Sequence, residues 1–222
     1  HPDGAKTFGQ LRAVIIDEVH ALAGSKRGDL LALGLTRLSR LAPGARHVGL
    51  SATIAWPDEL ASWLGSGGKQ VHHVAADDGP LPRVEMLEPG DELPWAGHMA
   101  LYAMAEVYRA IERHKSVIVF VNTRAQAELV FQELWRRNDK NLPIALHHGS
   151  LAVEQRRKVE AAMAEGKLRA VVATSSLDLG IDWGDIDLVL QIGAPKGVSR
   201  LTQRVGRANH RLDEASAALL VP

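Results

Sequence analysis

Asp17, Glu18 and His20 leave a short apolar run as Asp17-Glu18-Val19-His20. Two adjacent carboxylates at such an exit can hold Mg²⁺ against phosphate oxygens and orient an attacking water, as an NTPase requires. A solvated turn uses the same residue types, so the tetrapeptide alone leaves both readings open. A second cluster runs from Lys196 to Arg211, where Lys196, Arg200, Arg204, Arg207 and Arg211 are five cations with no acid among them. Gln203, Arg204 and Arg207 fall within about one helical turn and share a face. The guanidinium fork suits phosphate oxygens. Solvated basic helices usually interleave Glu or Asp, so this one reads as a ligand-binding face.

Hydroxyl and amide groups recur between these clusters. Ser51-Ala52-Thr53 puts two hydroxyls where they can couple a nucleotide to a second ligand, although turns and caps favour the same residues. Asn122-Thr123-Arg124 and His147-His148-Gly149-Ser150 each stand where a helix opens, and Thr174-Ser175-Ser176 leads into Asp178-Leu179-Gly180-Ile181-Asp182. Free N–H groups at a helix start attract anions. Singly each is an ordinary cap, but three such ends in succession can track a sugar–phosphate backbone without a strongly basic surface. The pairs His72-His73 and His147-His148 are not expected to bind zinc, because neighbours in a strand point to opposite faces and no third ligand is suitably spaced. The scattered Trp56, Trp63, Trp95, Trp135 and Trp183 read as core or hinge packing rather than base-stacking platforms.

The elements that position these groups alternate strand and helix. The first block, from about Leu11 to Val74, has strand Arg12–Asp17, an amphipathic helix near Asp29–Leu41, strand Arg46–Leu50 and a short helix opening at Pro57. Pro80, Pro82, Pro89 and Pro94 with Gly79, Gly90 and Gly97 mark a linker that holds one short extended piece around Val84–Leu87. The second block reads helix Met99–Arg113, strand Ser116–Val121, helix Thr123–Arg137, strand Ile144–Leu146, helix Leu151–Glu165 and strand Ala170–Ala173. Strand Asp187–Ile192, helix Val198–Arg207 and strand Ala217–Val221 complete it. The alternation predicts an α/β fold with parallel sheets covered on both faces and right-handed crossovers. Working residues in such sheets collect beyond the carboxyl ends of the strands, where the clusters above fall.

Composition narrows the classes. A hydrophobic fraction of 46% is too high for a disordered chain, and no apolar run reaches the length of a membrane span. No signal-peptide pattern opens the chain, and no repeat or low-complexity tract interrupts it. With no cysteine there is no disulfide, thiol nucleophile or Cys-zinc site. Lys+Arg and Asp+Glu are both 26, so any polyanion site must be local rather than a property of net charge. An α/β hydrolase is disfavoured by the absence of a G-x-S-x-G elbow.

The order of the motifs carries more than any one of them. Asp17-Glu18-Val19-His20, Ser51-Ala52-Thr53, Val119-Phe120-Val121-Asn122-Thr123-Arg124, Thr174 to Asp182 and Gln203-Arg204-Val205-Gly206-Arg207 resemble motifs II to VI of superfamily 2 helicases. Gly24-Ser25-Lys26-Arg27-Gly28-Asp29, Gly49-Leu50-Ser51-Ala52-Thr53, His147-His148-Gly149-Ser150 and Arg207-Ala208-Asn209-His210-Arg211 are similar to the large helicase-related (Lhr) family, above all to its bacterial ligase-associated DExH-box branch.

The resemblance implies part of an ATP-dependent DNA motor with two RecA-like parallel-sheet lobes. The first would be residues 1–75, truncated to the half without the phosphate loop; 76–98 would be the linker, and 99–222 a complete second lobe. It also implies ATP and Mg²⁺ as cofactors, with Asp17 in the Mg²⁺ shell and Glu18 positioning the water. His20 and Ser51, Ala52 and Thr53 would couple nucleotide state to lobe closure. Gly180 and Asp182 would approach the nucleotide, and Gln203, Arg204 and Arg207 would reach across the cleft, with Arg207 the arginine finger. Asn122, Thr123, Arg124, His148, Gly149, Ser150, Thr174, Ser175 and Ser176 would grip one strand of DNA. The implied partners are single-stranded DNA or a DNA-containing duplex and a DNA ligase or nuclease, in a bacterial cytoplasm and away from membranes. Two departures stand out. His210 takes the place of an Arg common in the superfamily, and no G-x-x-x-x-G-K-[ST] occurs. Gly68-Lys69 is followed by Gln70 with Trp63 where the first Gly belongs, and Gly166-Lys167 is flanked by Ala161 and Leu168. The phosphate loop is therefore expected upstream of His1. Without it, the alternative expectation is a module that binds single strands and does no chemistry.

Overall fold

The computed structural model describes residues 3–51, 57–65, 70–75, 80–88, 100–178, 185–195, 197–208 and 215–222. The chain divides into two compact units, His1–Asp77 and Asp78–Pro222.

In the first unit, strands β1 (Ala13–Ile16) and β2 (Arg46–Gly49) pair in parallel, Ala13 opposite Arg46 and Ile16 opposite Gly49. Helices α1 (Gly4–Phe8), α2 (Val19–Leu22), α3 (Lys26–Leu41) and α4 (Pro57–Leu64) accompany them. Helix α3 starts three residues before the apolar periodicity because Ser25 caps it, its hydroxyl accepting from Gly28 N–H at 3.1 Å and donating to Leu22 C=O at 2.6 Å. Gly28 is obligatory at this corner. A Cβ there would stand 2.0 Å from the Leu22 carbonyl oxygen. The core is small: Ile16, Val19, Leu35 and Leu64, joined by Val14, Leu22, Leu31, Leu60, Trp63 and Val71. Ile15, on the other face of β1, is 66% exposed.

The second unit is built on one six-stranded, all-parallel sheet in the order β3-β8-β7-β4-β6-β5. Its strands are β3 (Arg83–Met86), β4 (Val117–Phe120), β5 (Ile144–His147), β6 (Ala170–Ala173), β7 (Leu188–Ile192) and β8 (Ala217–Val221). Strands β4, β6 and β7 are buried at every residue, as central parallel strands covered on both faces must be. Helices α5 (Met104–Arg113), α6 (Arg124–Arg136), α7 (Val153–Ala164) and α8 (Val198–Val205) supply the covering layers. One core sets Val107, Ile111, Val130 and Leu134 of the helices against Val117, Val119, Val172 and Leu190 of the strands. The other sets Met163 and Val205 against Ile118, Phe120, Val171 and Val189.

The short extended piece expected around Val84–Leu87, within residues 76–98, forms edge strand β3 beside β8, Arg83 N–H donating to Ser216 C=O and Leu87 N–H to Leu220 C=O. Every β3 residue is exposed although Val84 and Met86 alternate with Arg83 and Glu85, and Pro80 and Pro82 precede its first ladder bond, where prolines are tolerated. No described helix is long and apolar enough to cross a membrane.

Candidate functional site

Strand order settles which loops are neighbours. β4, β6 and β5 are adjacent and parallel, so the segments that leave their carboxyl ends, 121–124, 174–176 and 148–150, lie side by side. Backbone bonds continue across them, Val121 N–H to Ala173 C=O at 2.9 Å and Thr174 N–H to His147 C=O at 3.3 Å. The three strand ends that the sequence offered separately form one row.

Thr123 caps α6, its hydroxyl accepting from Gln126 N–H at 3.2 Å, while Gln126 Oε1 accepts from Asn122 N–H at 3.1 Å. The reciprocal pair fixes the start of the helix and leaves exposed Thr123 and Arg124 at its positive end. Asn122 Nδ2 donates to Ala194 C=O at 2.8 Å and ties the row to the segment after β7. Arg124 Nη1 donates to Ser150 Oγ at 3.0 Å, and its Nε lies 3.9 Å from Glu128 Oε1. Gly149 and Ser150 are exposed. His148 is buried; its Nδ1 accepts from Ser150 N–H at 3.3 Å, so Nε2 carries the proton and faces Glu128 Oε1 at 3.4 Å. Glu128, absent from the sequence expectations, therefore stands between Arg124 and His148.

Thr174 and Ser176 are half-buried and Ser175 is exposed. Ser176 Oγ lies 2.8 Å from Nδ1 of His147, whose Nε2 lies 3.1 Å from Glu160 Oε1 on α7. Burial pulls the His147 pKa below the ordinary 6.5; the Glu160 carboxylate works in the other direction without overcoming it.

The basic helix α8 departs from expectation. Arg204 is 1% exposed and points into the unit, Nε donating to Asp178 Oδ1 at 2.9 Å and Nη1 to Gln191 Oε1 at 2.7 Å. Its guanidinium sits 4.5 Å over the Phe120 ring. Arg200 Nε reaches the same carboxylate at 3.5 Å. The reading of Arg204 as a group reaching outward to ATP is thus corrected. A desolvated guanidinium held by a buried carboxylate and an amide has no open fork for a phosphate. The missing acid of α8 is Asp178, from the turn after β6. Asp178 and Gln191 were not singled out as partners; a cationic helix without acids of its own was the available signal that a carboxylate must come from elsewhere. Arg207 is half-buried, with Nη2 donating to Asp178 C=O at 2.6 Å, and Gln203 is half-buried one turn before it. Lys196, Gly180, Asp182, His210 and Arg211 lie outside the described residues.

In the first unit, Asp17 and Glu18 leave β1 as expected. Glu18 takes a left-handed backbone at φ 51°, and its N–H donates to Asp17 Oδ1 at 2.9 Å. Such conformations are costly for a residue with a Cβ and gather at functional sites. His20 Nδ1 lies 2.6 Å from Ser51 Oγ and 3.5 Å from Glu18 Oε2. His20 thereby links the carboxylate turn to the exit of β2; Ala52 and Thr53 lie outside the described residues. Asp17 is exposed and Glu18 half-buried, and a hard oxygen pair of this kind suits Mg²⁺, which takes one or two carboxylates and completes its shell with phosphate and water. No group of three or more His, Cys, Asp or Glu side chains among the described residues could hold a metal by itself.

The second unit carries hydroxyl- and amide-bearing loops along the carboxyl edge of its parallel sheet, the first an Asp-Glu-Val-His turn, and residues 101–211 match the helicase conserved C-terminal domain family. The chain belongs to that family. Within it the similarity runs to Lhr helicases. The chain is 36% identical over 225 residues to the ATP-dependent helicase Lhr-Core of Methanocaldococcus jannaschii, covering 100% of this chain and 26% of that protein. It is 35% identical over 264 residues to the Lhr helicase/uracil glycosylase of Escherichia coli K12, covering 98% of this chain and 17% of that protein. The structure of Mycobacterium smegmatis helicase Lhr bound to ssDNA and AMP-PNP superposes with a TM-score of 0.82 at 39% identity, over 98% of this chain and 29% of that one. The chain thus spans about a quarter of the length of the Methanocaldococcus relative.

Proposed function

We propose that the chain is part of the motor of an Lhr-type, ATP-dependent DNA helicase of the ligase-associated DExH-box branch, and that its second unit grips single-stranded DNA. The observation that carries this is the contiguous row 122–124, 174–176 and 148–150 along three neighbouring strand ends. Exposed N–H groups at the start of α6, the Arg124 guanidinium and the Thr174, Ser175 and Ser150 hydroxyls offer donors at the spacing of successive strands, about 4.8 Å. Phosphates of one strand can pass along such a row without base readout. A relative similar over 98% of this chain has been seen with ssDNA and AMP-PNP, which supports the reading without locating the strand.

For the nucleotide, each unit's share is proposed separately. In the first, Asp17 and Glu18 take the Mg²⁺ that accompanies ATP, and the His20–Ser51 bond senses the state of that turn. In the second, Gly180, Asp182 and Gln203 face the nucleotide and Arg207 meets a phosphate, while Arg204 positions Arg207 by holding Asp178, whose carbonyl Arg207 also uses. Bound Mg²⁺ would neutralise charge on the transferring phosphoryl group. Because these 222 residues contain no G-x-x-x-x-G-K-[ST], the chain by itself is proposed to hold a strand without turning over ATP.

Photocrosslinking tests the grip. A single strand carrying iododeoxyuridine, irradiated with the chain and mapped by peptide mass, should mark segments 122–124, 148–150 and 174–176. Crosslinks confined to the first unit or to β3 would overturn the assignment.

A further inference from the structure

His147, Ser176 and Glu160 form a closed proton chain, of which the strand-gripping proposal uses only Ser176, as the last residue of the segment 174–176. His147 is 1% exposed at the end of β5. Its two ring nitrogens are both engaged, Nε2 with Glu160 Oε1 at 3.1 Å and Nδ1 with Ser176 Oγ at 2.8 Å. A carboxylate can only accept, so the Glu160 contact requires a proton on Nε2. A neutral imidazole then has a bare Nδ1, and Ser176 O–H is the donor that fills it. The Ser176 oxygen keeps only lone pairs for anything outside, and lone pairs repel a phosphate oxygen. Protonating His147 reverses the sense of the contact. Nδ1–H then donates to Ser176 Oγ, and the serine proton is released toward His147 C=O, 3.2 Å away, or toward a ligand.

We infer that Glu160 is a positioning residue that fixes the His147 tautomer and thereby holds Ser176 as an acceptor, so that Ser176 donates to a DNA phosphate only once His147 is protonated. The inference deepens the proposed strand grip and rests on it. It makes Thr174, Ser175 and Arg124 the donors at neutral pH and Ser176 a conditional one. The groups facing His147 are few: Glu160 and Arg156 on α7, Ser176 on the turn after β6 and His148 next in sequence. Arg156 and His148 oppose a further positive charge and Glu160 favours it, while burial dominates and keeps the ring neutral at pH 7. Glu160 is not expected to touch DNA, and its effect passes through His147 alone.

Imidazole ¹⁵N NMR of the ¹⁵N-histidine-labelled chain reads the tautomer with or without DNA. The expected result at pH 7.5 is a protonated Nε2 and a bare Nδ1 at His147; a protonated Nδ1 would overturn the inference whatever the chain binds. In Glu160→Met, which removes the acceptor and keeps the length, the ring should move toward the Nδ1–H form, and an unchanged tautomer would remove the role of Glu160. Binding of a labelled oligodeoxythymidine supplies the second readout. The penalty of Ser176→Ala on affinity should be about tenfold larger once His147 is protonated than at pH 8, the size of one charge-assisted hydrogen bond. In the Glu160→Met background that larger penalty should already be present at pH 8. A Ser176→Ala penalty equal at both pH values would contradict the switch. Failure of every version to bind the oligonucleotide would overturn the strand grip instead, and the tautomer would then decide the Glu160–His147 relation alone.

Discussion

Replacing Asp178 by Ala removes the only carboxylate within reach of Arg204 among the described residues. The magnitude follows from burial. The Arg204 and Asp178 side chains are 1% and 7% exposed and meet at 2.9 Å, so Asp178→Ala strands a guanidinium in the interior with Gln191 and the Phe120 face as its remaining partners. Breaking a buried pair from one side costs about 3–5 kcal/mol, because the surviving charge stays desolvated. At roughly 2–4 °C per kcal/mol for a unit of this size, the second unit should melt roughly 6–20 °C earlier. The opposite truncation is expected to be milder. Arg204→Met keeps apolar bulk over Phe120 and leaves Asp178 with Arg200 at 3.5 Å; the main loss is the donor to Gln191, about 1–3 kcal/mol. The double variant Asp178→Ala/Arg204→Met should be more stable than the sum of the singles implies, since it leaves no buried charge alone. Urea unfolding monitored by circular dichroism measures all three. A loss below about 1 kcal/mol for Asp178→Ala, or Arg204→Met as the costlier single change, would refute the reasoning and return Arg204 to the outward-facing group the sequence suggested.

Two further outcomes are expected. His147 is held neutral, its pKa depressed below the ordinary 6.5, so the unfolded chain binds the proton more readily; stability should fall as pH drops below about 6.5. Most of that slope should vanish in His147→Asn, as measured by urea midpoints between pH 5 and 7.5. Gly28→Ala forces a Cβ to 2.0 Å from the Leu22 carbonyl oxygen, so the α2–α3 corner must open at a cost of roughly 1–3 kcal/mol or more, seen as earlier melting of the first unit.

Much of the second sheet was legible because its physics is local. Ala170–Ala173 and Ala217–Val221 were bounded correctly from apolar runs alone, since central parallel strands are apolar on both faces. Strand β3 was legible only as a short extended piece around Val84–Leu87, because an exposed edge strand of four residues needs no buried apolar run. The short helices α1 and α2, of five and four residues, lie below the length at which periodicity can be read. At the site, the strand-end residues were found by type and position, and the strand order then showed three of the segments to be neighbours, which spacing along the chain could not. Arg204 was misread for a physical reason. A cation without acids on its own helix has either an external anion or an internal carboxylate from another segment, and only coordinates distinguish Asp178 from a phosphate. Glu128 and Glu160 escaped notice because a half-exposed Glu on a helix resembles any solvated one until the buried histidine beside it is seen.

The central claim is that the row on β4, β6 and β5 holds the phosphates of a single strand. The most direct measurement is the affinity of the chain for an oligodeoxythymidine as a function of salt, repeated for Arg124→Ala. The one cation of the row, Arg124, predicts a log–log slope of roughly −0.7, lost when Arg124 is removed. A slope near zero, or one that Arg124→Ala leaves unchanged, would contradict the account.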